Sequence, residues 1–280
     1  MKLKHIAIIG SLFPKGISYI AGSDVPALII NVQRGGPGLG GIQPSQADYW
    51  QATKATGHGD FQILVFAPST VQEMVDFVSL AFDLGDKYRM PAMILADGML
   101  GQMMEPVEFK DQGENAKIDK PWALTGHQFK RPHNVVNSLY LKPADLERLV
   151  KERFERYETI KKTEQRAEEY LVDDADIVVV AYGASSRVAR SAVNAARAEG
   201  IKAGLIRPIT LWPFPTDALQ RAAQHVKKFL AVEMSMGQMV DDVRLAIHDQ
   251  KPVEFYGRTG GMIPTPAEVL GAVKKAGGVL

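Results

Sequence analysis

The sequence predicts an α/β protein of two domains, each built around a parallel sheet. The chain has 280 residues, whereas a single domain usually has about 100 to 200. Short, fully apolar runs also alternate with helical patterns in both halves, and such runs indicate parallel strands covered on both faces. We expect the domains to cover residues 1–125 and 173–280, with a linker over residues 126–172.

The clearest strand–helix–strand unit lies in the first half. The apolar run ILVFA, the helical pattern VQEMVDFVSLAFDLGDKY and the apolar run MPAMILAD follow one another. Ser69 or Thr70 is placed to cap the helix, and Glu73 stands at capping-box spacing from Thr70. The apolar positions predict a buried face that consists of Val71, Met74, Val75, Val78 and Phe82.

A surface loop followed by a long helix is expected to lead from the first domain to the second. Residues 99–138 have few periodic apolar positions and many Gly, Pro, Asn, Asp and Lys, which is typical of a surface connection. KPADLERLVKERFERYETIKKTEQRAEEY then predicts one long charged helix that acts as the hinge between the domains. Asp145 is its expected N-cap, and its apolar stripe is Leu146, Leu149, Val150, Phe154 and Tyr157.

The second half repeats the alternation as strand, helix, strand, helix and strand, from ADIVVVAYG to KKFLAVEMS. Gly200 stands just past the first of these helices, where a C-terminal glycine belongs. Pro213 and Pro215 are expected to close the next strand. RPITLWPFP contains too many aromatic and proline residues for a solvated loop, so we expect it to pack at a domain or subunit interface.

Composition excludes several classes of function. Lys plus Arg number 33 and Asp plus Glu 32, so no strong field attracts nucleic acid or an acidic membrane. The apolar runs are far shorter than the roughly 20 residues of a membrane span. The N-terminus lacks a signal-peptide cleavage site, which favours a cytoplasmic protein. Cysteine is absent, so this chain cannot hold a cysteine-bound iron–sulfur cluster.

Polar residues follow three predicted strands, at the ends where parallel sheets bind ligands. In NVQRGGPGLGG, Arg34 leaves a buried strand directly before glycines. This placement suits a bidentate grip on a carboxylate, and the alternative is an ion pair with a neighbouring Asp above a simple turn. The loop is not a dinucleotide fingerprint, because Pro44 interrupts the expected helix, and it lacks the lysine of a Walker loop.

The other two groups have structural alternatives. In YGASSR, Ser185 or Ser186 is the expected N-cap of the next helix, and an anion bound at that helix N-terminus is the alternative. In EMSMGQM, Glu233 ends a strand beside Gly237 and Gln238, and we favour a buried structural hydrogen bond there over a ligand contact.

Two further features stand outside these groups. His58 lies between glycines in GHGD, where a small loop either presents it to a substrate or leaves it solvated. Five methionines are expected to provide adaptable packing at a contact surface rather than cofactor ligands. They are Met103, Met104, Met234, Met236 and Met239.

Five motifs resemble the alpha subunit of thiamine-diphosphate-dependent 2-oxoacid:ferredoxin oxidoreductases. They are NVQRGGPGLGGIQPSQADYWQATKATGHGD, LADGMLGQMMEPVEF, GLIRPITLWPFP, VEMSMGQMVDDVR and EFYGRTGG, and the likeness runs from about Gly16 to Pro266. GGPGLGGIQPSQAD and GQMMEPVEF resemble the branched-chain (2-oxoisovalerate) type most, with the 2-oxoglutarate and pyruvate types as near neighbours.

The resemblance implies a fold, a reaction and a set of partners. The fold is a pyrimidine-binding domain followed by a domain similar to the C-terminal domain of transketolase. The reaction is oxidative decarboxylation of a 2-oxoacid to acyl-coenzyme A and CO2 with reduction of ferredoxin. A beta subunit would hold the diphosphate, its Mg2+ and a [4Fe–4S] cluster, and gamma and delta subunits would complete the complex.

The resemblance also implies roles for residues. Arg34 resembles the arginine with which the family binds the substrate carboxylate. The glycines beside it would leave room for the backbone to approach that carboxylate. No catalytic residue and no metal ligand is assigned to the chain. The candidates for contacts with the cofactor or an interface are Gly35, Gly36, Gly38, His58, Glu233, Gly237 and Gln238.

The likeness departs at the front of the chain. Family members carry a Tyr-Pro-Ile-Thr-Pro-like motif, a glutamate that activates the pyrimidine ring, and a Ser/Pro/Gly-rich loop ahead of GISYIAG, and MKLKHIAIIGSLFPK matches none of them. We therefore expect a truncated or differently started chain, and a non-catalytic assembly subunit is the alternative interpretation. Ser235 also stands where the family usually has asparagine.

Overall fold

The computed structural model describes residues 6–8, 14–54, 57–109 and 119–278. Most of the stretch MKLKHIAIIGSLFPK therefore lies outside the described residues. The described strands are β1 (Ile6–Ile8), β2 (Leu28–Gln33), β3 (Leu64–Phe66), β4 (Ala92–Asp97), β5 (Ala167–Tyr170), β6 (Ile177–Val180), β7 (Ala203–Pro208), β8 (Thr210–Trp212), β9 (Lys228–Glu233) and β10 (Val253–Gly257). The described helices are α1 (Pro14–Gly22), α2 (Tyr49–Thr53), α3 (Val71–Tyr88), α4 (Gly98–Gln102), α5 (Pro143–Thr163), α6 (Gly183–Ala198), α7 (Thr216–Ala223), α8 (Met239–Ala246) and α9 (Pro266–Gly277).

The strands form two five-stranded sheets, which confirms the predicted α/β class. The first sheet has the order β1-β2-β4-β3-β8 and the second has the order β10-β9-β6-β7-β5. Each sheet is parallel except for one edge strand, because β8 runs antiparallel to β3 and β5 runs antiparallel to β7. None of the helices in the described ranges is long and apolar enough to cross a membrane.

Helix α3 begins where its capping residues predict. The Thr70 hydroxyl accepts the Glu73 N–H (3.1 Å), so Thr70 rather than Ser69 is the N-cap. The Glu73 carboxylate does not close the expected box on Thr70, and instead accepts the N–H (2.7 Å) and the hydroxyl (3.0 Å) of Ser69. The side chain of Glu73 therefore contacts Ser69, one residue before the N-cap that a standard capping box would use.

The predicted buried face of α3 is correct only at Phe82. The buried residues are Phe77, Ala81, Phe82, Leu84, Gly85 and Tyr88, and the other predicted positions are half-buried. The reason is that the two halves of the helix meet different neighbours. The second half packs on the first sheet, whereas Met74 near the start packs against a small cluster of Leu100, Ala184 and Met234.

The long linker helix is shorter than predicted. Helix α5 ends at Thr163, and the following segment Ala167–Tyr170 is β5 at the edge of the second sheet. Lys142, not Asp145, is the N-cap, because Pro143 occupies the first helical turn, where its missing N–H costs nothing.

The predicted apolar stripe of α5 is correct only at Tyr157. The buried residues are Arg153, Tyr157 and Ile160, whereas Leu146 and Phe154 are exposed. The helix turns a charged position inward because the Arg153 guanidinium meets the Asp24 carboxylate (3.0 Å) and the Gly22 carbonyl (2.8 Å).

RPITLWPFP crosses from one sheet to the other. After β7 ends in the second sheet, β8 joins the first sheet, and the Ala67 N–H donates to the Ile209 carbonyl (2.8 Å). The Trp212 ring packs edge-on against Tyr157, with ring centroids 5.4 Å apart. This confirms the expected interface packing, but one predicted strand is in fact two, and Pro213 and Pro215 follow the second of them.

The second sheet has helices on both faces. Helices α6 and α9 cover one face through a cluster that includes Val179, Val193, Leu205 and Val273. The opposite face, with α7 and α8, belongs to a core cluster that continues into the first sheet. Gly200 follows the C-cap of α6 with φ +82°, as predicted for a helix C-terminal glycine.

Candidate functional site

The three predicted polar groups meet at one place between the sheets. Gln33 at the end of β2 pairs in register with Asp97 at the end of β4. Residues 34–48, which we call the Arg34 loop, follow β2 at the ligand-binding edge of the first sheet. Gln46 in this loop bonds to Tyr182 and Ser185 of the second group and to Met234 of the third.

Arg34 is held by the carbonyls of its own loop. Its Nη1 donates to the carbonyls of Gly35 (2.9 Å) and Leu39 (2.8 Å), and its Nη2 donates to that of Gly38 (3.1 Å). A guanidinium has five N–H donors. The Nε–H and one of the two Nη2 hydrogens have no acceptor in the described part of the chain.

This geometry tests one of the two alternatives for Arg34 within the described residues. None of their carboxylates forms an ion pair with Arg34, so the predicted pairing with a neighbouring Asp is not found there. The side chain is exposed, its position is determined by three carbonyls, and its charge is not neutralised by them. The arrangement therefore presents an oriented cation at the sheet edge.

Two glycines give the Arg34 loop its shape. Gly38 and Gly40 have φ of +63° and +41°, a region that residues with a Cβ rarely adopt. A Cβ on Gly40 would collide with the Gly35 carbonyl oxygen, the same atom that accepts from Arg34. Gly35 is buried against Gln43 and Gly261, and its N–H donates to the Gln43 carbonyl (2.8 Å).

The serines after β6 are not the N-cap of α6, contrary to the prediction. The helix begins at Gly183, with Tyr182 as N-cap, so both serines lie inside the first turn. The Ser185 hydroxyl donates to the Gln46 side chain (2.8 Å) and the Ser186 hydroxyl donates to the Gly183 carbonyl (2.6 Å). The helix starts two residues before Ser185, so the extended N-cap conformation falls on Tyr182 (φ −120°, ψ 168°) and not on a serine.

The anion at the N-terminus of α6 comes from the chain itself. The Asp97 carboxylate accepts the N–H of Ala184 (2.9 Å) and that of Leu100 (3.1 Å), so one side chain links the first sheet to α6 and α4. Burial raises the pKa of Asp97, and the backbone hydrogen bonds offset part of this effect. The positive end of the helix is therefore used for contact between the two halves.

Glu233 makes the buried structural hydrogen bonds that the sequence favoured. Its carboxylate accepts from the Ser235 hydroxyl (2.8 Å) and from the N–H groups of Met239 (3.0 Å) and Val240 (2.9 Å), at the start of α8. The Gln238 side chain reaches the first half, donating to Ala47 O (2.8 Å) and accepting from Trp50 N–H (2.8 Å). Gly237, at φ +100°, forms the turn between them.

His58 is placed apart from the Arg34 loop. Its Nδ1 is 3.2 Å from the Ser18 hydroxyl, and the residue lines a 740 Å³ cavity between α1 and α5. No lining residue of this cavity belongs to the Arg34 loop. The structure thus brings Glu233, Gly237 and Gln238 to the site but leaves His58 outside it.

The methionines divide between core and surface. Met234 and Met239 are buried, Met103 is half-buried, and Met104 and Met236 are 99% and 80% exposed. Leu39 and Ile42 in the Arg34 loop are also exposed, at 96% and 78%. Large apolar side chains exposed at a ligand-binding edge are typical of a surface that contacts another molecule.

Several residues that join the two halves were not predicted. Gln46 and Asp97 are described above, and the Tyr49 hydroxyl donates to the Asp242 carboxylate (2.5 Å), which also pairs with Lys54. Burial, followed by the charge of Asp242, raises the pKa of Tyr49 well above its usual value. Only Asp97 had a signal in the sequence, since a charged residue ends the apolar run MPAMILAD.

The described residues contain no group of three or more His, Cys, Asp or Glu side chains that could hold a metal ion. The donor set at the site is instead the guanidinium of Arg34, which carbonyls of a glycine-rich loop hold in place. Such a set is suited to binding an anion by charge-assisted hydrogen bonds.

Two family models match the chain. Residues 11–172 match "Pyruvate flavodoxin/ferredoxin oxidoreductase, thiamine diP-bdg", and residues 175–269 match "Pyruvate:ferredoxin oxidoreductase core domain II". The ketoisovalerate oxidoreductase subunit VorB of Methanothermobacter thermautotrophicus is 48% identical over 268 residues, covering 96% of this chain and 76% of that protein.

Two solved structures share the fold. The 2-oxoglutarate:ferredoxin oxidoreductase from Magnetococcus marinus, with 2-oxoglutarate, coenzyme A and succinyl-CoA bound, matches at a TM-score of 0.77 and 22% identity, over 97% of this chain and 53% of that one. The present chain thus spans about half of that structure's chain. A split-gene transketolase, an inactive beta4 tetramer, matches at 0.54 and 18% identity, over 89% of this chain and 66% of that one.

The matches to known proteins agree with the division of the chain into two α/β halves. The two matched regions correspond to the two α/β halves, and the transketolase match covers both. A thiamine-diphosphate-binding family model matches the first half, as predicted, and the fold of the chain is shared with a transketolase. With a family model over more than half of its length and a relative of this identity, the chain belongs to the 2-oxoacid:ferredoxin oxidoreductase family.

Proposed function

We propose that this chain is the alpha subunit of a complex that oxidatively decarboxylates a branched-chain 2-oxoacid, with 2-oxoisovalerate as the first candidate. The products would be an acyl-coenzyme A, CO2 and reduced ferredoxin. Support for the substrate class comes from the identity to a ketoisovalerate oxidoreductase subunit. 2-Oxoglutarate and pyruvate are the other candidate substrates.

The observation that carries the proposal is the oriented guanidinium of Arg34. Three loop carbonyls hold it and leave the Nε–H and one Nη2 hydrogen without an acceptor among the described residues. Two parallel donors in one plane match the two oxygens of a carboxylate. Every 2-oxoacid carries a carboxylate next to the carbonyl that reacts, so Arg34 would both bind the substrate and orient the bond that breaks.

The described residues are suited to contact the rings of thiamine diphosphate but not to hold its diphosphate and Mg2+. They lack a metal-ligand cluster, so we place Mg2+ and the diphosphate on a beta subunit. The exposed Leu39 and Ile42, beside a backbone kept open by glycine, are suited to contact the rings of thiamine diphosphate. When bound, the cofactor supplies the electron sink for loss of CO2.

Other groups of the reaction must come from partners. The chain has no cysteine, so we place the [4Fe–4S] clusters on partner subunits. Coenzyme A is the proposed co-substrate, and the beta, gamma and delta subunits and ferredoxin are the proposed protein partners. The chain's own residues would orient the carboxylate and exclude water from one side of the site.

The alternative function is a non-catalytic assembly subunit. The observation that favours it is the extent of structural bonding at the site, since Glu233, Asp97 and Gln46 all connect parts of this chain to one another. Under this alternative the partner subunits need the chain for assembly but not the charge and shape of Arg34.

The test is Arg34→Lys in the complex purified with its partner subunits. Lysine keeps the charge but loses the planar fork. A charge-assisted hydrogen bond contributes about 1.5 to 3 kcal/mol, so we expect kcat/KM for the 2-oxoacid to fall about 10- to 100-fold. The iron–sulfur spectrum and subunit composition should not change.

Arg131→Lys is a matched control for this test. Arg131 also lies in a surface loop and donates to carbonyls of that loop, those of Pro132 (3.0 Å) and Gly126 (3.1 Å). We expect its replacement to leave the kinetics unchanged. If Arg34→Lys also has wild-type kinetics with every 2-oxoacid tested, while the chain is still required for assembly, the assembly function is correct and the catalytic one is wrong.

A further inference from the structure

We propose that Gln46 is a positioning residue that fixes the Arg34 loop by fastening it to the second half of the chain. This inference takes the role of Arg34 from the proposed function, but the fastening itself rests on contacts that are independent of that function. Gln46 is fully buried, although it lies in a loop whose tip is exposed.

Gln46 makes five hydrogen bonds across the boundary between the halves. Its side-chain Nε2 donates to the Tyr182 carbonyl (2.9 Å), and its Oε1 accepts from the Ser185 hydroxyl (2.8 Å) and the Met234 N–H (3.0 Å). Its backbone N–H donates to the Met234 carbonyl (2.8 Å), and its carbonyl accepts from the Tyr182 hydroxyl (3.1 Å). The loop is thereby bound to the ends of both β6 and β9.

A short chain of contacts leads from Gln46 to the guanidinium. Pro44, two residues before Gln46, forms an isolated antiparallel bridge with Arg34. The Gly35 N–H donates to the Gln43 carbonyl (2.8 Å), and the Gly35 carbonyl in turn accepts from Arg34 Nη1. A shift of the backbone at Gln46 would therefore move the carbonyls that orient Arg34.

The amide is the group that these partners require. The Tyr182 carbonyl needs a donor, whereas the Ser185 hydroxyl and the Met234 N–H need an acceptor. An apolar side chain of the same length would leave all three partners buried and unpaired. The fit is also close, because a Cβ on Gly183 would lie 2.8 Å from the Asp97 carboxylate and 3.0 Å from the Gln46 amide nitrogen.

The first arm of the test measures the loop directly. Hydrogen exchange of residues 34–44 is followed by mass spectrometry in the full chain, as wild type, Gln46→Met and Ser185→Ala. We expect exchange about tenfold faster in Gln46→Met, with a smaller increase in Ser185→Ala, which removes one of the five bonds and remains informative if Gln46→Met does not fold. Unchanged exchange of this segment in the folded variants would overturn the proposal.

A matched control separates positioning from general weakening of the contact between the halves. Arg207 donates to Glu73 (2.8 and 3.0 Å) and to Glu168 (2.7 Å), away from the Arg34 loop. Arg207→Lys should lower the melting temperature without faster exchange of residues 34–44. Faster exchange of that segment in the control as well would show that Gln46 has no special role.

The second arm uses the kinetics of the assembled complex. We expect Gln46→Met to raise KM for the 2-oxoacid and to lower kcat/KM about 10- to 100-fold, because small displacements of an orienting group are costly. Arg207→Lys should keep the wild-type KM. If Gln46→Met is kinetically normal while Arg34→Lys is impaired, Gln46 does not position Arg34. If both are normal while exchange is faster in Gln46→Met, the fastening is supported and the proposed function is wrong.

Discussion

Gly40→Ala is the substitution that should disturb the Arg34 loop most. Gly40 has φ +41°, and a Cβ there would collide with the Gly35 carbonyl oxygen. That oxygen accepts from Arg34 Nη1 (2.9 Å) and from the Gly41 N–H (2.9 Å). Alanine therefore has to move one of the three carbonyls that orient the guanidinium.

The magnitude follows from these contacts. A left-handed conformation costs a residue with a Cβ about 1 to 2 kcal/mol. Displacing the Gly35 carbonyl removes a charge-assisted bond worth about 1.5 to 3 kcal/mol. Because the loop is exposed, it can rearrange locally, so we expect a small change in melting temperature but a fall in kcat/KM of about 10- to 100-fold.

The assay compares three glycines by steady-state kinetics of the complex and by thermal unfolding of the chain. Gly38→Ala places a Cβ in open space at a residue whose φ is +63°. Because this Cβ meets no neighbour, its effect should be smaller than that of Gly40→Ala. Gly271→Ala, within α9 and also in open space, should stabilise the chain by about 1 kcal/mol without changing kinetics. Wild-type kinetics in Gly40→Ala would refute the inference that the loop carbonyls orient Arg34.

Three further predictions concern stability, pH and metal content. Tyr49→Phe removes the hydroxyl that donates to Asp242 and should lower the free energy of unfolding, measured by urea titration, by about 1.5 to 3 kcal/mol. Replacement of the exposed Tyr19 by Phe is the control and should leave it unchanged. Equal urea midpoints for wild type and Tyr49→Phe would contradict this. Burial raises the pKa of Glu164, but hydrogen bonds from Tyr88 and Lys87 lower it more, to below its ordinary value of 4.5. Its ionised form therefore stabilises the fold above pH 4.5, and the stability advantage of wild type over Glu164→Gln should shrink as pH falls below that value; a constant advantage would count against this. The purified chain, which has no cysteine, should contain no iron by elemental analysis, whereas the assembled complex should; stoichiometric iron in the chain alone would be inconsistent with this assignment.

The local parts of the fold could be predicted from the sequence. Thr70 caps α3 because its side chain acts on its own turn, and Gly200 ends α6 because only local backbone geometry matters there. The path of β8 could not be predicted, since the exchange between sheets depends on pairing with β3, about 145 residues earlier in the chain. The same reason explains the end of α5, where pairing with β7 outweighs the helical pattern of RAEEY.

The site shows the same division. Arg34 could be selected from its position between a buried strand and glycines. Its three acceptors could not, because they depend on the path of the loop. Ser185 was assigned to the wrong role because its partner, Gln46, is 139 residues distant in sequence. Polar residues that join two halves of a chain carry no periodic signal, so apart from Asp97 only the structure identifies them.

The role of Arg34 in binding the substrate is tested most directly by the structure of the assembled complex with 2-oxoisovalerate bound. We expect the substrate carboxylate to accept from Arg34 Nε and Nη2 at about 2.7 to 2.9 Å, while Gly35, Leu39 and Gly38 still accept from the same side chain as they do here. A carboxylate held by other residues, with that edge of Arg34 left to solvent, would contradict it.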